Sequence, residues 1–122
     1  MEMLAKDKNL GKNVGKVENV VIEKFNEESL QKHFKKHVID RAEWGVECKM
    51  TIDQYLAKAR ELLSSPIGKN IDGFVSKNRF VFRYNKLTNE FATAKPDGTI
   101  ETLFRPKKGL SYWNDQIKIY KL

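Results

Sequence analysis

Apolar residues in the first half of the chain recur at helical spacing. After Asn26, apolar side chains fall four residues apart and form one stripe: Leu30, Phe34, Val38 and Ala42. Asn26 is suited to cap the start of this helix, and the negative charges of the two glutamates after it interact favourably with the positive end of the helix dipole. Gly45 is expected to end the helix. The pattern therefore predicts an amphipathic first helix.

A second helix is signalled by its capping sequence. Thr51 and Gln54 have the spacing of a capping box, in which each side chain satisfies a backbone N–H of the first turn. Pro66 cannot continue a helix and marks its end. The inward face is formed by Ile52, Tyr55, Leu56, Ala59, Leu62 and Leu63.

From Lys69 onward the apolar period changes to two, which is typical of strands. Residues 79–84 alternate, with Phe80, Phe82 and Tyr84 on one face. Further strands are predicted near 71–75, 90–94 and 99–104, with a hairpin turn at Lys95-Pro96-Asp97-Gly98. Residues 16–25 are predicted to form a short strand, and the tail after Gly109 to close the sheet or pack under it.

These elements predict an α+β fold in which N-terminal helices pack on a twisted antiparallel sheet of about four to five strands. At 122 residues, the chain has the length of one domain. Residues 1–15 are expected to be a flexible lead-in, and residues 16–122 the single domain.

Charge is unevenly distributed along the chain. The formal net charge is +7, and residues 66–122 carry eleven basic against five acidic side chains. An excess of basic residues among the predicted strands is expected of a face that meets a polyanion such as nucleic acid.

Cys48 is the only cysteine, which excludes an internal disulfide and a thiolate metal cluster. The sequence contains no apolar run long enough to span a bilayer, and we expect no signal peptide.

Candidate chemistry is concentrated in the run His33-Phe34-Lys35-Lys36-His37. A histidine exchanges a proton near neutral pH, and a neighbouring lysine can hold a phosphate, which are the requirements for cleaving RNA without a metal. His37 is the candidate acid or base. His33 lies on the same flank one turn earlier, where it either provides a second proton-transfer group or only packs. Two histidines on one helix are also compatible with a purely structural role.

A second cluster lies on the last predicted strand. The Thr102 hydroxyl can donate to a phosphoryl oxygen, and the Arg105 guanidinium can bind phosphate through two donors. His33 and His37 have the i, i+4 spacing of a two-histidine metal site, but the glutamate of the zincin pattern is absent and no third ligand is suggested. We therefore expect neither a metal nor another cofactor.

Two functions without catalysis also fit the sequence. In a nucleic-acid-binding module, Phe80, Phe82 and Tyr84 would provide stacking platforms for bases, although alternate aromatic residues on a strand more often face the core. In a protein-interaction domain, the basic face would meet an acidic partner.

The chain resembles a known family over roughly residues 28–115. The segments that carry the resemblance, in order, are residues 30–37, 43–46 (Glu-Trp-Gly-Val), 55–59, 82–85, 88–92 and 97–106. They are similar to the colicin D-like anticodon nucleases and the CdiA-type toxin domains of contact-dependent inhibition, which share the barnase/EndoU/colicin/RelE fold. Thr102 stands where colicin D has a serine, and Phe104 where it has a tryptophan.

The resemblance implies a metal-independent toxin ribonuclease that cuts tRNA, in the anticodon region, and leaves a 2′,3′-cyclic phosphate; rRNA or mRNA is the alternative substrate. It places catalytic residues at His37, Lys36, Thr102 and Arg105, with the aromatic position at Phe104. The residues predicted to bind substrate are His33, Lys35, Arg83, Phe104 and Lys107. It further implies a cognate immunity protein, and that the domain is a monomer except when bound to that protein. The domain would be exported within a larger toxin and delivered to the cytoplasm of a target bacterium.

Overall fold

The computed structural model of the chain describes residues 16–17, 20–22 and 26–121. The proposed lead-in, residues 1–15, lies outside the described residues. Instead of one strand over residues 16–25, the described part holds two short antiparallel strands, β1 (Lys16–Val17) and β2 (Val20–Val21). Ile22, immediately after β2, is buried in the core.

The first long helical segment changes its geometry midway. Helix α1 (Glu27–His33) is capped by Asn26, whose side chain accepts from the backbone N–H groups of Glu28 and Ser29. A π-helix over Phe34–Asp40 continues it, with the N–H of Arg41 bonded to the carbonyl of Lys36 five residues earlier. The expected stripe therefore ends before Ala42, which has a φ of 47° and lies outside the helix.

Helix α2 (Ile52–Ser64) follows the prediction closely. Both hydrogen bonds of the capping box between Thr51 and Gln54 are present. Tyr55, Ala59, Leu62 and Leu63 are buried, and the helix packs across the sheet.

The sheet is a four-stranded antiparallel meander in the order β3 (Ile71–Val75), β4 (Val81–Asn85), β5 (Glu90–Ala94) and β6 (Ile100–Phe104). The α+β prediction is confirmed, with an open sheet. Strand β4 begins two residues later than expected, because Arg79 takes a φ of 74° in the preceding turn. The turn at Gly98 forms as predicted, with a φ of 93° that favours glycine.

The two faces of the sheet carry separate cores. One contains the buried face of α2 together with Val81, Ala92 and Leu103. The other is aromatic, and helix α3 (Leu110–Tyr120) covers it by inserting Trp113 among Phe74, Phe82, Tyr84 and Phe91. The tail of the chain thus packs under the sheet as a helix. None of the described helices is both long and apolar enough to cross a membrane.

Candidate active site

The candidate site lies where α1 and the π-helix meet the edge strand β6. The imidazole of His37 is buried, with 5% of the side chain exposed. Its Nδ1 lies 2.7 Å from the Glu43 carboxylate, and its ring stacks on Phe104 with the ring centroids 5.2 Å apart. A carboxylate that accepts from Nδ1–H fixes the tautomer and orientation of the ring, which leaves Nε2 as the proton-transfer atom. Among the described residues, Nε2 has no hydrogen-bond partner.

His33 lies beside His37, as its place on the same flank predicted. The two rings are stacked with centroids 5.6 Å apart, and His33 Nδ1 is 3.3 Å from the Thr102 hydroxyl. Burial, together with the positive charges of His37 and Lys36, lowers the pKa of His33 below its ordinary value. His33 is therefore neutral near neutral pH, while it remains at the surface beside Thr102.

Arg105 is tied to Glu43 through both backbone and side chain. Its backbone N–H donates to Glu43 Oε1 at 2.7 Å, and its guanidinium donates to the carbonyl oxygens of Glu43 and Thr88. One carboxylate thus holds both His37 and the end of β6. Arg105 also lines an open cleft with Arg41, Lys107 and Glu43, so three basic residues and one acidic residue border the same space. Such a cleft suits a polyanionic chain.

The remaining predicted site residues are placed less favourably. Lys36 is exposed on the π-helix, near enough to affect His33 electrostatically. Lys35 pairs with Asp40 at 2.9 Å on the exposed flank. Arg83 is 2% exposed and donates to the backbone carbonyls of Ser65 and Phe82, on the face of the sheet that α2 covers. The structure therefore does not bring Arg83 to the candidate site.

The aromatic residues of β4 do not form a stacking platform. Phe82 and Tyr84 are 6% and 2% exposed in the core beneath α3, and Phe80 packs against the same cluster. The interpretation that they stack on exposed bases is wrong for Phe82 and Tyr84, because α3 covers them.

The main residue that sequence reasoning did not assign to the site is Glu43. It belongs to the Glu-Trp-Gly-Val segment, but its six-residue separation from His37 matches no regular helical contact. Its neighbour Trp44 donates to the buried Glu90 at 2.7 Å, and Glu90 also accepts from Lys58 and Thr88. Burial favours a raised pKa for Glu90, but these donors outweigh it and lower the pKa. A charged Glu90 therefore anchors the loop that carries Glu43.

No metal centre is suggested by these side chains. In the part of the chain that the structure describes, no group of three or more His, Cys, Asp or Glu residues is placed to hold an ion.

Comparison with known proteins gives no family for the chain: no family model matches it, and no curated protein matches its sequence at a significant level.

Proposed function

We propose that the chain is a metal-independent endoribonuclease that cleaves RNA by attack of a 2′-hydroxyl on the adjacent phosphate. The observation that carries this proposal is the arrangement of two stacked imidazoles, one held by Glu43 and the other beside Thr102. Transesterification requires one group to accept a proton and another to donate one, and both must flank the same phosphate.

The chemistry assigns a role to each imidazole. His33, whose pKa is lowered by burial and by nearby positive charge, takes the proton of the 2′-hydroxyl as the bond from O2′ to phosphorus forms. His37, oriented by Glu43, gives a proton from Nε2 to the 5′-oxygen as the bond from phosphorus to O5′ breaks. The products are a 2′,3′-cyclic phosphate and a free 5′-hydroxyl.

The charge that develops on the phosphoryl oxygens needs fixed donors. The Thr102 hydroxyl lies beside His33, and the Arg105 guanidinium is held in place by Glu43 and Thr88. Donors that are positioned before the reaction stabilise such charge without reorganisation. Lys36 supports the same site by its charge.

The substrate and partner follow from the cationic cleft and from the resemblance to colicin D-like and CdiA-type toxins. A cleft bordered by Arg41, Arg105 and Lys107 suits a folded RNA, and we propose tRNA. A toxin with this activity requires an immunity protein in the producing cell, and an acidic one would cover the cleft. We further propose that the domain is exported as part of a larger toxin and acts in the cytoplasm of a target bacterium.

The test is incubation of the purified chain with total bacterial tRNA in EDTA, read on a denaturing gel. The wild type should give discrete fragments with 5′-hydroxyl ends, and His37→Ala should give none while retaining the circular dichroism of the wild type. Gln31→Ala, at an exposed position on α1, is the matched control and should cut normally. Undiminished cleavage by His37→Ala would refute the role of His37. If the chain cleaves rRNA or mRNA and leaves tRNA intact, the proposed substrate tRNA would be wrong and the cleaved RNA would replace it.

A further inference from the structure

A cavity continues from the candidate site across the α3 face of the sheet. Its volume is about 370 Å³, and Thr102 and Phe104, which contact the two histidines, form part of its wall. The proposed chemistry uses none of the other aromatic residues that line it: Phe80, Phe82, Phe91, Tyr112 and Tyr120. A ligand bound here would lie next to the reacting phosphate and against aromatic rings.

A bulge in β6 brings a carboxylate to this cavity. Thr93 pairs with Thr102 and Ala94 pairs with Ile100, so Glu101 is the extra residue in β6. A regular strand would direct Glu101 and Thr102 to opposite faces, whereas here both line the cavity. Glu101 accepts from the Thr93 hydroxyl at 3.2 Å. Bulges near active sites commonly redirect a side chain in this way.

We propose that this cavity binds the nucleobase next to the cleaved bond and that Glu101 selects guanine. The inference rests on the proposed ribonuclease function. Phe80, Tyr112 and Tyr120, which are not buried, offer every base a surface for stacking, so they supply affinity without selection. A carboxylate only accepts hydrogen bonds. Guanine alone presents two adjacent N–H donors, at N1 and N2, whereas uracil has one N–H between two carbonyl oxygens that repel a carboxylate.

The binding test uses guanosine 3′-monophosphate and uridine 3′-monophosphate, titrated into the full chain and followed by NMR of the backbone amides. The guanine nucleotide should bind about tenfold more tightly, with shifts at Thr102 and Tyr112, and Glu101→Gln should remove this preference. Glu61→Gln, at an exposed carboxyl on α2, should leave it unchanged. Equal binding of both nucleotides by the wild type, or shifts confined to Arg105 and Lys107, would overturn the proposal.

Sequencing the ends of cleaved RNA separates this inference from the proposed function. A wild type that prefers the guanine nucleotide but cuts no RNA would refute the ribonuclease and retain the base-binding cavity. A wild type that cuts RNA with the same nucleotide preference as Glu101→Gln would refute the role of Glu101 and retain the ribonuclease.

Discussion

Replacement of Glu43 by glutamine tests the link between the loop and the histidine. The Glu43 carboxylate has one oxygen 2.7 Å from His37 Nδ1, while the other accepts from the Arg105 backbone N–H at 2.7 Å. Glutamine has one acceptor oxygen, and an NH₂ donor replaces the second oxygen. It can therefore accept from either His37 Nδ1 or the Arg105 backbone N–H, but not from both. Loss of a hydrogen bond to a charged group costs about 1.5–3 kcal/mol of stability.

The effect of Glu43→Gln on catalysis should be larger than its effect on folding. A glutamine amide lacks the negative charge that the Glu43 carboxylate places 2.7 Å from Nδ1, and a general acid must give up its Nε2 proton from the charged ring. A comparable substitution in the serine-protease triad lowers kcat by about 10⁴. We expect kcat for RNA cleavage to fall by about 10²- to 10⁴-fold near neutral pH.

The assay measures initial cleavage rates of labelled RNA at saturating substrate, together with urea unfolding of each variant. Glu47→Gln is the control, because this exposed carboxyl lies four residues further along the same loop. It should keep both the rate and the stability of the wild type. A folded Glu43→Gln protein whose kcat stays within about twofold would refute the role given to the pair of Glu43 and His37, since acid–base catalysis is worth far more.

Three further predictions concern stability, each read by urea unfolding. Because folding lowers the pKa of His33, its imidazole binds a proton more readily in the unfolded chain than in the folded one. The free energy of unfolding therefore declines as the pH falls through about 6.5. His33→Gln should reduce that decline between about pH 7.5 and pH 5.5. Leu103→Ala should cost about 2–5 kcal/mol because the side chain is fully buried, whereas Leu87→Ala, at a position 76% exposed, should change stability by less than about 0.5 kcal/mol. Trp44→Phe should cost about 1–3 kcal/mol, because the buried Glu90 loses a donor.

Each of these expectations has a contradicting result. An unchanged pH dependence in His33→Gln would show that this histidine is not the group that titrates on folding. Equal effects of the two leucine substitutions would contradict the placement of the core beneath α2. A Trp44→Phe protein as stable as the wild type would mean that Lys58 and Thr88 satisfy Glu90 without the indole.

The sequence predicted those parts of the fold that local signals govern. The capping box at Thr51, the stop at Pro66 and the period of two in the later strands each depend on neighbouring residues, and the structure contains all three elements. The π-helix was not predicted. A repeat of four residues satisfies both an α-helix and its wider relative, so the stripe from Leu30 to Val38 did not distinguish them. For the tail, packing under the sheet was one of the two expected arrangements, but its helical form was not predicted, because Tyr112, Trp113 and Ile117 suit a strand equally well.

Spacing along the chain predicted proximity within the candidate site only for residues of one continuous helical segment. His33 and His37 are one turn apart, and their proximity follows from helix geometry. The contacts of Glu43 with His37 and Arg105 join a loop, a helix and a strand end, and no spacing in the sequence encodes them. The burial of Arg83 was missed for a related reason, since strand alternation gives its face but not the helix that covers it.

The placement of the two tryptophans gives the protein a built-in pair of optical reporters. Trp113 is enclosed in the aromatic core under α3 and donates to Asp72, while Trp44 packs edge-on against Tyr55 beside the loop that carries Glu43. With Trp44 replaced, fluorescence follows the α3 side alone, and with Trp113 replaced, it follows the neighbourhood of the histidines. Unfolding curves that coincide for the two signals would show that both sides of the sheet melt as one unit. An earlier change at Trp44 would show that the loop that carries Glu43 opens while the rest of the domain stays folded.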